Sequence, residues 1–162
     1  MPLSGIRYAT PGELPALALL MARSPLLRRY AVAYESALAG LRAALESADT
    51  ILVSGEPAVG LAWLSFAPRV LNGAAYLRLL LVEQVAQAQG VGSRLLSGVE
   101  AAATARANHL YLLATTDNDN ARRWYERRGF RHVGDLPGLV RPDLDEALYH
   151  KSLRGYDARL DA

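Results

Sequence analysis

The stretch that decides the fold is "LLLVEQVAQAQGVGSRLL", Leu79 to Leu96. An apolar run ends at Val82, Gly90-Val91-Gly92 follows, and then Leu95, Leu96, Val99, Ala102 and Ala103 recur at helical spacing. A strand that stops where a glycine-flanked helix starts lets backbone N–H groups crowd a diphosphate, with the positive end of the helix dipole behind them. The same arrangement also arises from packing alone, so spacing has to discriminate. A dinucleotide fingerprint would need a glycine at Leu95, and a Walker loop would need Gly-Lys-Ser/Thr where the chain has Gly92-Ser93-Arg94. What remains is Gln87-x-x-Gly90-x-Gly92.

Working outward, "GIRYAT" alternates as a first strand, and Thr10-Pro11-Gly12-Glu13 opens a helix with a hydroxyl cap and an early proline. Apolar periodicity predicts one long helix from Leu26 to about Ser47. "TILVSGEPAVGLAWLSF" reads as a hairpin, Thr50 to Val53 and Ala58 to Phe66, turning at Gly55-Glu56-Pro57. A strand over Ala75 to Val82, a helix over Gly92 to Ala107, a strand over Leu110 to Thr115 and a short helix over Asn120 to Arg128 follow. "FRHVGDL" and "EALYHKSL" close the chain as two strands that read as exposed edges. This order predicts a mixed α/β domain, one unit over residues 1–162, with a central sheet of about seven strands flanked by helices. Its β-α-β crossover from Val82 to Leu110 places two parallel strands side by side. A ligand is expected beyond their carboxyl ends, where Gln87 to Ser93 lie.

Composition removes whole classes of chemistry. The 162 residues contain no cysteine, which excludes disulfides, thiolate metal sites and a cysteine nucleophile. His109, His132 and His150 never fall at i, i+3 or i+4, so no metal site is expected, and no G-x-S-x-G elbow supports a serine hydrolase. Lys151 is the sole lysine among 18 basic residues, yet the net charge is only +2. The dense run Arg122, Arg123, Arg127 and Arg128 is not interleaved with aromatics, which argues against nucleic acid as a partner. No apolar run approaches the ~18 residues of a membrane span, and "MPLSGIRYAT" lacks signal architecture. The expectation is a cytoplasmic protein.

The glycine stretch resembles the acyl-coenzyme A signature of the GNAT superfamily of N-acetyltransferases, Q/R-x-x-G-x-G/A after a strand ending in Val. "NDNARRWYERRGF" is similar to that family's second segment through Asn118, Ala121, Tyr125, Gly129 and Phe130. The resemblance implies a GNAT fold, an acetyl-CoA cosubstrate and a homodimer. It implies that the backbone of Leu80, Leu81 and Val82 pairs with the pantetheine arm as an added strand. It further implies that Gln87, Ala88, Gln89, Gly90, Val91, Gly92 and Ser93 form the diphosphate loop and that Asn118 meets the cofactor arm near Tyr125. Many relatives carry Arg-Gly-x-Gly where this chain has Gln87-Ala88-Gln89-Gly90, so a positive charge is missing, with Arg94 or an arginine of the later helix as substitutes.

The implied reaction is acetyl transfer to a primary amine by direct attack in a ternary complex; the alternative is a catalytically silent acyl-CoA-binding module. An amine of pKa ~10.4 needs a base, and a leaving thiol of pKa ~8.5 can take a proton from a phenol of pKa ~10. Tyr125 is the candidate acid. Candidate bases are Glu83, Glu146 or a water wire to Tyr76; the strand position where some protein N-terminal acetyltransferases carry glutamate is Leu113. The acceptor pocket is expected from Ser24 to Glu35 and Gly138 to Glu146, with Arg28, Arg29, Tyr30, Tyr34, Glu35, Arg141 and Asp143 at its mouth.

Overall fold

The computed structural model describes residues 5–67 and 69–154. Among them, seven strands form one mixed sheet in the order β1 (Ile6–Tyr8), β2 (Thr50–Ser54), β3 (Gly60–Phe66), β4 (Ala75–Val82), β5 (His109–Thr115), β7 (Leu144–Ser152), β6 (Arg131–Arg141). The β4–β5 pair is parallel and the other neighbours are antiparallel. The crossover between β4 and β5 is made by α4 (Val91–Thr104), as the glycine-led pattern requires. On the opposite face lie α1 (Leu14–Arg23), α2 (Pro25–Arg29) and α3 (Tyr34–Glu46), and α5 (Asp119–Glu126) follows β5.

Two apolar clusters, one per face, explain why the layers hold. Leu95, Leu96 and Val99 of α4 bury against Leu77 and Leu112; Leu17 and Leu41 of α1 and α3 bury against Ile51, Val53 and Leu61. Fully burying such a side chain contributes about 1.5–3 kcal/mol. Gly60 sets how closely α4 seats on the sheet. A Cβ there would come within 3.1 Å of the Leu81 carbonyl, Leu95 and Val91, so only glycine admits the first turn of α4 at this distance.

Two sequence expectations are corrected. The single helix from Leu26 to Ser47 is broken into α2 and α3, because Ala31 adopts a left-handed conformation (φ 57°) and the N–H of Ala33 is capped by Ser36 Oγ at 3.1 Å. Apolar periodicity persists through the break, which is why it reads as continuous. The strand "EALYHKSL" is not an edge: β7 lies between β5 and β6, and β6 is the outer strand.

Two local features of β4 shape the site. Its ladder with β5 covers only Ala75 to Leu77, whereas its pairing with β3 continues to Val82. In addition, Leu64 pairs with Leu77 and Trp63 with Leu79, so Arg78 is the extra residue of a bulge.

Candidate active site

Where β4 and β5 part, two clefts open and meet. The first is bounded by the start of α4 and by α5. Its floor includes Gln87, Ala88, Gly90, Val91, Gly92 and Ser93, with Leu80 and Val82 on one wall and Trp124 and Arg128 on the other. Gly90 is the N-cap of α4 with φ +75°, a left-handed conformation that glycine adopts without steric cost. It frees the first N–H groups of the helix toward the cleft, since these have no partner within it. A Cβ on Gly92 would stand 3.4 Å from the Trp124 ring, so any larger side chain would enter the cleft.

Arg128 places a positive charge beside the loop. Its guanidinium stacks 3.7 Å over Trp124 and donates to Ser93 Oγ at 2.7 Å. Arg94 instead turns back onto the Gln89 carbonyl at 3.2 Å. Sequence reading left these arginines undecided and missed Trp124, although Trp124 and Arg128 stand four residues apart on adjacent helical turns.

The backbone of β4 sorts its three candidate residues. Glu83 donates its N–H to Val59 on the β3 side at 2.7 Å. Alternation along a strand then turns Leu81 toward β3, and Leu80 and Val82 toward the gap. Leu81 accordingly lines neither cleft. The Val82 carbonyl already accepts from Gln87 Nε2 at 3.1 Å. Gln89 is likewise turned aside, its amide donating to the Val85 carbonyl at 3.1 Å.

The second cleft, of about 500 Å3, lies between α2, α3 and the α1-side face of the sheet. Leu80, Ala121 and Tyr125 line both clefts and so mark their junction. Asn118 caps α5, its Oδ1 accepting from the Ala121 N–H at 3.2 Å, and faces this second cleft. The Tyr125 ring is held edge-on by Trp124 and Phe130, at 5.0 and 5.5 Å between centroids. Burial pushes its phenol up from the ordinary tyrosine value, so it stays protonated well above neutrality.

Glu146 lies deep in the second cleft, only 2% exposed. It accepts a hydrogen bond from the Tyr30 hydroxyl, which also lies 2.6 Å from Thr115 Oγ1. Burial, and then the bond to Glu146, push the Tyr30 phenol up to about 12. Tyr30 is the C-cap of α2, the last residue before the break. Glu83, by contrast, stands at the head of the 3-10 turn Gln84–Ala86 and lines neither cleft. The expected charged mouth is also corrected. Arg29 is paired with Asp117 at 2.8 Å and Arg141 with Asp143 at 3.0 Å, and none of Arg28, Arg29, Tyr34, Glu35, Arg141 or Asp143 lines the cleft.

The model of the acetyltransferase (GNAT) family matches residues 24–130, from the head of α2 through α5. The chain belongs to the GNAT family. Its fold is the GNAT fold, a seven-strand mixed sheet flanked by helices, and solved structures bear this out. A ribosomal-protein-alanine N-acetyltransferase from Brucella melitensis is 21% identical with a TM-score of 0.75, covering 91% of this chain and 98% of its own. An N-acetyltransferase from Staphylococcus aureus Mu50 is 19% identical with a TM-score of 0.74, covering 92% and 98%. An aminoglycoside 6'-N-acetyltransferase solved with coenzyme A is 17% identical with a TM-score of 0.73, covering 91% and 96%. No curated protein sequence matches the chain. Among the described residues of this GNAT chain, no helix is long and apolar enough to cross a membrane.

Proposed function

We propose that the protein is an acetyl-CoA-dependent N-acetyltransferase acting on a primary amine by direct attack in a ternary complex, with the whole chain as one catalytic domain. The observation that carries this reading is the meeting of the two clefts at Leu80, Ala121 and Tyr125. A donor reaching in from one side and an acceptor from the other would meet beside a single phenol.

The residues present fit acetyl-CoA as cosubstrate. The open N–H groups at the start of α4, Ser93 and the Arg128 guanidinium suit a diphosphate. Leu80 offers its backbone to the gap beside β5, and the apolar walls suit the arm. When bound, the thioester supplies an activated acetyl carbon.

Glu146 holds the acceptor ammonium, its carboxylate fixed by Tyr30, which is itself hydrogen-bonded to Thr115, and takes the first proton so that the nitrogen lone pair is free. As the carbon–nitrogen bond forms and the carbon–sulfur bond breaks, Tyr125 gives its proton to sulfur. The second proton shed by nitrogen restores the phenol, so one proton leaves the site per turnover. The aminoglycoside 6'-N-acetyltransferase of the same fold, solved with coenzyme A, supports the choice of cosubstrate.

Thermal shift with acetyl-CoA, run beside free-thiol release across a panel of amines, tests the proposal. A shift with thiol release is expected. A shift without release from any amine would leave a silent acyl-CoA-binding module, and no shift at all would overturn both.

A further inference from the structure

Among the described residues, the second cleft has two charged side chains in its lining, Glu146 and Arg78, and they are not paired with each other. Glu146 is buried and meets no cation among the described residues; its hydrogen bond is to an uncharged phenol. A buried carboxylate without a counter-ion is costly, and the cost falls when a bound molecule brings the cation.

Arg78, the second charge, is exposed at the cleft. It is the bulged residue of β4, and the bulge sets it beside Leu79 on the α1–α3 face, its guanidinium 4.5 Å over the Trp63 ring. Among the described residues it makes no ion pair, whereas Arg29 and Arg141 nearby are each bound to an aspartate. Stacking fixes the plane of the guanidinium and leaves its fork of donors for a planar anion.

β4 and β7 are two strand spacings apart, about 10 Å, and Arg78 is turned to the β3 side of β4 by its contact with Trp63, so the two charges stand at opposite sides of the cleft. Tyr76 lines the same cleft, and both charges act on it. Its phenol is raised by burial, with Arg78 opposing the shift and Glu146 adding to it. Met21, Leu26, Leu27 and Val32 add apolar wall to the cleft.

We infer that the acceptor is a small zwitterion, an amine bearing its own carboxylate on an apolar framework, with its ammonium on Glu146 and its carboxylate on Arg78. The inference rests on the acetyltransferase reading above and sharpens its acceptor. A polycationic acceptor would gain one carboxylate here and meet Arg78 as a like charge.

The test measures thiol release from acetyl-CoA with leucine and 6-aminohexanoate, with their amides, and with spermidine, for the native chain and for Arg78→Gln and Arg78→Lys. Acetyl-CoA binding is followed separately by thermal shift. The expected result is at least a tenfold preference in kcat/KM for a carboxylate over its amide, carried by KM. It should collapse to under twofold in Arg78→Gln and return in part in Arg78→Lys. Release with amides or spermidine and not with the carboxylates overturns this inference while the acetyltransferase reading stands. Equal preference in native and Arg78→Gln proteins overturns the role of Arg78 and with it the inference. No release with any amine, while acetyl-CoA still shifts the melting temperature, overturns both.

Discussion

Replacing Tyr125 with phenylalanine isolates one hydroxyl in a cleft otherwise left intact. Trp124 and Phe130 grip the ring by its faces and edges, and those contacts do not involve the oxygen. The hydroxyl makes no hydrogen bond with the described residues, and desolvation alone shifts it. Its removal therefore orphans no buried partner, and the folding cost should stay below about 0.5 kcal/mol, as for a substitution that breaks no named interaction. The chemical cost is separate. A positioned general acid contributes about 10²–10⁴-fold, or about 2.7–5.4 kcal/mol of barrier. Acetyl-CoA titration by thermal shift should give an unchanged midpoint, circular dichroism a native spectrum, and steady-state thiol release a kcat lower by two to four orders. The deficit should narrow with a thioester whose thiol is more acidic, because a better leaving group needs less proton donation. A kcat within twofold of the native value in a folded protein would show that the sulfur receives its proton elsewhere.

Gly90→Val forces a β-branched residue into a left-handed conformation and sets a Cβ 3.2 Å from Arg94 Nη1. It should weaken acetyl-CoA at least tenfold by titration, and native affinity in a folded variant would refute the loop as the diphosphate site. Glu13 is held down to about 2, first by the Arg7 hydrogen bond and also by Thr10. A depressed carboxyl contributes stability above its unfolded pKa near 4.5 and loses it as pH falls toward 2. Glu13→Gln should therefore cost about 1 kcal/mol at pH 7, the size of a lost helix cap, and should flatten the melting curve between pH 4.5 and 2; parallel pH profiles would refute it. On the outer strand β6, Val133, Leu139 and Val140 are all more than half exposed. Sedimentation should show a dimer that Val133→Glu dissociates, and a monomer at high concentration would refute that edge as the contact.

What could be read from the chain followed how local its signals are. The crossover, the glycine cap of α4 and Asn118 as the cap of α5 are set by residues within a turn of one another, and the sequence displays them. The bulge at Arg78 left no trace because Leu79, Leu80, Leu81 and Val82 are all apolar, so either register satisfies both faces of the sheet. Glu146 was one of several candidates for a similar reason. Tyr30 reaches it across 116 positions of sequence, and only the assembled sheet brings them together. The arginine serving the loop likewise depended on which side chain another group had already engaged, Arg94 by a carbonyl and Arg128 by Ser93.

The short ladder between β4 and β5 makes the sheet a hinged object. Four strands on one side and three on the other are joined by three residue pairs at one end, Ala75–Leu110 to Leu77–Leu112, with α4 bridging behind. Beyond that spine the free ends of the two half-sheets share no backbone pairing that would hold them at one spacing. A molecule clamped between Leu80 and Thr115 would stiffen the joint as a wedge stiffens a book held ajar. Compliance of the empty protein and rigidity of the filled one would then be two states of the same three-rung hinge.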